Sequence, residues 1–318
     1  MTSKEVVKRT IKMQNPPRVP LLYFNCFHER SDILSISYET ASDYALKNTN
    51  ISEWGLKWET KDDTMGQPSN IPLPSWDELC NYQFPVAGDN GRFDHIPDFV
   101  RKYGDKYLMG GIGISGFSLV TMIRGFADAM EDLYVERENI EYLLDRIQGF
   151  EMDIIRGYGK YDLDAVSFGD DWGSQNSLLI SPVLWREFYK PRLKKQFDLI
   201  HSLGMDVYFH SCGNVYDIIP DLIEIGADIL NFNQPDLFGI EKLGHDFGGK
   251  VCFNCPVDHQ TVAVYGTPDE IFEYVSRLYK QLGSSKGGFI GYIEEYHSIG
   301  MSNENFAAII EAFENLSK

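Results

Sequence analysis

A histidine and a cysteine two residues apart, His210 and Cys212, end the apolar run Asp206 to His210 and are followed by the loop-forming pair Gly213-Asn214. Residues i and i+2 of a strand project to one side, so the imidazole and the thiol can converge on one point just past the strand end. Thiolate and imidazole together favour Zn²⁺ among the available divalent ions, and a catalytic zinc keeps three protein ligands with a fourth position open. The pair therefore predicts two of three ligands, and Glu295, Glu294 or Cys255 completes the set. The bland reading of the same pair is a core histidine beside an inert thiol.

Other apolar runs end in equally polar residues: Gly169-Asp170-Asp171-Trp172-Gly173, Asn231-Phe232-Asn233-Gln234, Cys255-Pro256-Val257-Asp258 and Glu294-Glu295-Tyr296-His297. Each has a structural alternative. Asp170 and Asp171 could cap a neighbouring segment or satisfy loop amides, and Cys255 could be a small buried hydrophobe. His297 and the two glutamates could be solvated loop residues. Cys26, Cys80 and His28 lack ligand spacing and read as structural.

Positioning these residues requires strands that end at one face. Tyr107 to Ile114, Ala165 to Gly169, Asp206 to His210, Asp228 to Asn233, Val251 to Cys255 and Phe289 to Ile293 read as buried parallel strands, with Val19 to Phe24 as a seventh. Helical segments alternate with them: 128–157, 182–203, 215–225 and 268–282. Ser181-Pro182 and Thr267-Pro268-Asp269-Glu270 carry the cap, proline and acids of helix starts. The pattern predicts an α/β fold, a (β/α)8 TIM-type barrel with one strand unplaced, as a single domain over 1–318. About 25–104 reads as an irregular N-terminal extension or lid. No G-x-G-x-x-G loop follows the first strand, which argues against a dinucleotide fold.

Among the 318 residues, 47 Asp and Glu outweigh 29 Lys and Arg, for a formal charge of −18. Such a chain repels nucleic acid and anionic membrane surfaces. No apolar stretch approaches the ~20 residues of a membrane span, and the N-terminus has no apolar signal region, so a cytoplasmic location is expected. Five widely spaced cysteines give no disulfide framework. Aromatic residues in the extension permit a homodimer contact.

The stretches 169–173, Ser181-Pro182, His210-Ser211-Cys212-Gly213-Asn214, 220–228, Asn233-Gln234-Pro235 and Val257-Asp258-His259-Gln260 together resemble the uroporphyrinogen decarboxylase superfamily. They are closer to its methyltransferase-like branch, which works with corrinoid proteins, than to the true decarboxylases. The resemblance covers the second half of the chain well and the first half loosely, and implies a (β/α)8 barrel. In the zinc methyltransferases of that branch a His-x-Cys pair, matched by His210 and Cys212, is completed by a cysteine near the C-terminus. Counted back from Glu304-Asn305, which resembles the family's Pro-x-Glu-Asn ending, that position holds Glu295. The resemblance thus implies Glu295 as third ligand, or Cys255 with Glu295 as acid or base.

By the same resemblance Asp170, Asp171 and Gln234 orient a small substrate, a thiol or a methyl ether or alcohol. Its methyl group is exchanged with a corrinoid on a separate protein, since the chain has no Asp-x-His-x-x-Gly cobalamin motif. True decarboxylases hold their substrate's carboxylates with an Arg-Gln-Ala-Gly-Arg motif, which 18–30 lacks. A cofactor-free porphyrinogen carboxy-lyase using Asp170 or Asp171 is the alternative expectation. A non-catalytic barrel that binds a small molecule is a second.

Overall fold

The computed structural model describes residues 1–45, 51–60, 66–88 and 90–318. Parts of the expected extension, 46–50, 61–65 and 89, lie outside the described residues. Among the described residues ten strands follow in chain order: β1 Leu21–Tyr23, β2 Ile33–Ser37, β3 Trp58–Glu59, β4 Gln67–Pro68, β5 Tyr107–Ile114, β6 Ala165–Gly169, β7 Asp206–His210, β8 Ile229–Asn231, β9 Cys252–Cys255 and β10 Phe289–Ile293. Eight of them form one sheet in the order β1-β10-β9-β8-β7-β6-β5-β2, every neighbouring pair parallel. With helices on its outside, this is the (β/α)8 TIM-type barrel.

Strand alternation separates two cores. Leu22, Ile33, Tyr107, Met109, Tyr208, Ile229, Cys252, Ile290 and Tyr292 pack inside the barrel with Val7 and Ile11 of the helix Ser3–Ile11. That helix covers the N-terminal ends of the strands, where Lys4 and Lys8 pair with the buried Asp164. The outward residues, among them Leu108, Phe168, Phe209, Leu230 and Phe253, join the larger core under the helices.

The barrel closes between β1 and β2 through side chains as well as backbone. The Asp32 N–H donates to the Leu21 carbonyl at 2.8 Å. The Asp32 carboxylate accepts from the Leu21 N–H at 2.9 Å and from both Arg18 guanidinium Nη atoms at 2.6 and 2.5 Å. Ser31 Oγ accepts from the Tyr23 N–H at 3.0 Å.

The strand left unplaced from the sequence is β2, inside the segment expected to be irregular. Its serines interrupt the apolar pattern, and its pairing with β5 is what shows it to be a strand. The helix Ile96–Tyr103 also falls within that segment. What remains carries the small β3–β4 hairpin and is anchored by the buried Arg92, which holds Glu53 through two bonds at 2.6 and 2.5 Å. The helix expected over 128–157 is two, Phe126–Val135 and Arg137–Tyr158, broken at Glu136. Within 182–203 a π-helical turn, Trp185–Tyr189, precedes Lys190–Ser202. Pro191 lacks the N–H that an uninterrupted α-helix would direct to the carbonyl four residues back. No helix of the described residues is long and apolar enough to cross a membrane.

Because Asp32 satisfies a strand amide and a guanidinium at the seam, Asp32→Ala is expected to lower the unfolding free energy by about 3 kcal/mol, read by urea denaturation.

Candidate metal centre

The parallel ladder sets Gly169, His210 and Asn231 at one level, so the segments that follow β6, β7 and β8 leave the barrel side by side. The loops after β6 and β7 are then joined by backbone. Asp170 N–H donates to the His210 carbonyl, Gly173 N–H to the Cys212 carbonyl and Asn214 N–H to the Ser174 carbonyl at 3.2, 3.1 and 2.7 Å. Trp172 N–H donates to Ser211 Oγ at 3.1 Å. Gly173 and Gly213 meet back to back, each where a Cβ would collide with the other's backbone, and Gly213 has φ +74°.

This places Asp171 beside the pair expected from the sequence. Its Oδ1 accepts from the Cys212 N–H at 2.8 Å and lies 3.6 Å from His210 Nε2, while Cys212 Sγ lies 3.4 Å from the same nitrogen. Asp171, His210 and Cys212 each offer one ligand atom within 4.8 Å of the others, a grouping of three found nowhere else among the described residues. Burial, and then the Asp171 carboxylate, push the Cys212 thiol far up. Imidazole, sulfur and carboxylate donors converge with no lysine or arginine paired to any of them among the described residues, and such a donor set fits zinc.

The other expected ligands lie elsewhere. Cys255 is wholly buried in the layer between barrel and helices, because Cys252 three residues earlier faces the barrel interior and the strand alternates. Burial pushes its thiol up to about 12. Glu295 turns to His297, 2.8 Å from its Nε2. Glu294 faces the site instead: its Oε2 accepts from the Tyr292 and Tyr296 hydroxyls, both at 2.8 Å. Burial raises its pKa, and the two tyrosine hydrogen bonds act in the opposite sense.

The residues expected to orient substrate divide. Asp171 joins the donor group. Gln234 accepts from the Gly213 N–H at 2.9 Å and directs Nε2 toward His259 Nε2 at 3.2 Å, bracing the Cys212 loop. Asp170 is buried and caps the helix Gly116–Arg124, accepting from the Phe117 and Ser118 N–H groups at 3.1 and 2.8 Å. Glu151 shares that helix end, accepting from Gly116 N–H at 3.1 Å and Gln196 Nε2 at 2.6 Å. Sequence reasoning did not place Asp171 in the donor group, nor Asn231 2.6 Å from His210 Nδ1, because both depend on which strands are neighbours.

Residues 54–316 match the family model described as Uroporphyrinogen decarboxylase (URO-D). The chain belongs to the uroporphyrinogen decarboxylase family. Within this family it is 24% identical over 164 residues to the uroporphyrinogen decarboxylase of Chlorobium phaeobacteroides, a match covering 50% of this chain and 44% of that protein. The chain thus spans less than half the length of this curated relative. The fold is similar to that of a methyltransferase from Methanosarcina mazei, with a TM-score of 0.69 over 99% of both chains at 15% identity.

Burial pushes the Glu151 carboxyl from its ordinary 4.5 up to about 7. The unfolded chain releases this proton before the folded one does, so stability falls as pH rises between those values, by about 3 kcal/mol in all. Glu151→Gln is expected to flatten that part of the stability profile, measured by denaturation across pH.

Proposed function

We propose that this family member is a zinc-dependent methyltransferase that moves a methyl group between a small substrate and a corrinoid carried by a separate protein. Asp171, His210 and Cys212 are its metal ligands in this reading, with Asp171 in place of the Glu295, Glu294 or Cys255 expected from the sequence. The observation that carries the reading is the convergence of these three unlike donors at the C-terminal face of the barrel, where TIM-barrel enzymes place their chemistry. Bound there, zinc would act as a Lewis acid on the heteroatom of a thiol, an alcohol or a methyl ether.

The chain's own residues supply the rest. Glu294 is anchored through one oxygen by two tyrosine hydroxyls, which leaves the other oxygen to exchange a proton with the substrate heteroatom. Gln234 keeps the Cys212 loop in place. The segments that follow β1, β6, β9 and β10 carry the exposed Phe24, Phe27, Leu179, Tyr265 and Ile299. Exposed apolar side chains of this kind suit a partner that delivers a large flat cofactor. The similarity in fold to the Methanosarcina mazei methyltransferase supports the same reading.

Metal analysis tests it. Purified protein is expected to hold near-stoichiometric zinc, lost in His210→Ala and Cys212→Ala, reduced in Asp171→Ala and kept in Glu295→Gln. Equally little zinc in wild type and variants overturns the metal reading.

The curated relative favours a second reading, decarboxylation of a porphyrinogen. Against it, the arginines nearest the N-terminal strand are already engaged: Arg18 with Asp32, and Arg30 with Glu314 while lying over the Tyr23 and Phe27 rings. Incubation with uroporphyrinogen is expected to yield no coproporphyrinogen, and its steady formation would reverse the preference.

A further inference from the structure

A chain of hydrogen bonds runs across three strands behind His210, and its directions can be read from the backbone. The Ile290 carbonyl accepts from Asn254 Nδ2 at 3.0 Å, which turns Asn254 Oδ1 to the Tyr208 hydroxyl at 2.8 Å. The Asn254 carbonyl accepts from Asn231 Nδ2 at 2.7 Å, which turns Asn231 Oδ1 to His210 Nδ1 at 2.6 Å. A carbonyl can only accept, so neither amide can be reversed without setting acceptor against acceptor. Asn231 and Asn254 are buried, at 2% and 0% exposure, where leaving a polar group unsatisfied is costly. Asn231 Oδ1 is therefore a fixed acceptor, and the neutral imidazole meets it only with hydrogen on Nδ1.

We propose that Asn231, oriented by the Asn254 backbone carbonyl, is a positioning residue that locks His210 as the Nδ1–H tautomer, with the Nε2 lone pair aimed at Cys212 and Asp171. A free histidine side chain prefers its hydrogen on Nε2, so the network inverts the intrinsic preference. The inversion has a consequence at the donor group. An Nε2 lone pair 3.6 Å from a carboxylate oxygen is repelled by it, a contact eased by the Cys212 thiol hydrogen, 3.4 Å away at sulfur, or by a cation that takes the place of that hydrogen. The imidazole is thus set for a metal before one arrives, as partners on the far nitrogen of metal-bound histidines generally ensure. The functional consequence rests on the proposed metal reading, whereas the tautomer does not.

¹⁵N NMR of the full-length protein, stripped with a chelator and held above the histidine titration range, tests the lock directly. His210 is identified by the signals lost in His210→Ala. Nδ1 is expected to appear as the protonated nitrogen and Nε2 as the unprotonated one, and hydrogen on Nε2 in wild type overturns the proposal. Asn231→Leu removes the acceptor and is expected to reverse or mix the tautomers and to weaken zinc binding about 10–100-fold. Asn231→Asp keeps an acceptor for Nδ1, so hydrogen on Nδ1 is expected to persist, while its second oxygen, set against the Asn254 carbonyl, is expected to lower stability; hydrogen on Nε2 in this variant overturns the lock. Undiminished zinc affinity in a folded Asn231→Leu variant overturns the positioning role. A wild type with hydrogen on Nδ1 but no zinc affinity supports the lock while removing the metal reading.

Discussion

The site depends on one constraint, the register of the parallel ladder through β6, β7, β8 and β9. Gly169, His210, Asn231 and Asn254 stand at one level across these strands. Parallel strands that leave the sheet at one level release their loops together, so residues far apart in sequence meet without any long-range attraction between them. A slip of one residue in β7 would turn His210 outward into the helical layer, as alternation does for Cys255.

Above the ladder the geometry passes to backbone rather than side chains. The loops after β6 and β7 run on as a short paired ribbon, and the contact between Gly173 and Gly213 admits no Cβ on either side. A left-handed residue and a backbone approach this close are both positions for which glycine is suited. The ribbon brings the Asp171 carboxylate onto the Cys212 amide, and Gln234 fixes the next amide along. Two ligands of the proposed metal are thus held by their own loops' hydrogen bonds, and the third, His210, by the amide behind it.

The electrostatics follow from the same arrangement. Asp170, Glu151, Glu294 and Cys212 all have raised pKa values, with burial the largest cause in each. The first two are satisfied by helix amides and Glu294 by tyrosine hydroxyls, so their desolvation is offset locally. Among the described residues no lysine or arginine pairs with Cys212 or Asp171, so a cation bound between them would offset their charge.

Much of this was legible in the chain itself. Long apolar runs alternating with capped amphipathic segments specify strands and helices through local sterics and burial, and β5, β6, β7 and β10 fall where those runs lie. The i, i+2 spacing of His210 and Cys212 pointed to their convergence, but β7 ends at His210, and the Cys212 backbone is held by its bonds to Gly173 and Asp171 in the neighbouring loop. The short, serine-interrupted β2 did not read as a strand, because only pairing with β5 satisfies its backbone. The same holds for chemistry. Whether Asp171, Glu295 or Cys255 stands beside His210 depends on strand order, on which face an alternating residue takes and on how two loops pair. Those are relations between segments, and a sequence pattern reports only relations within one.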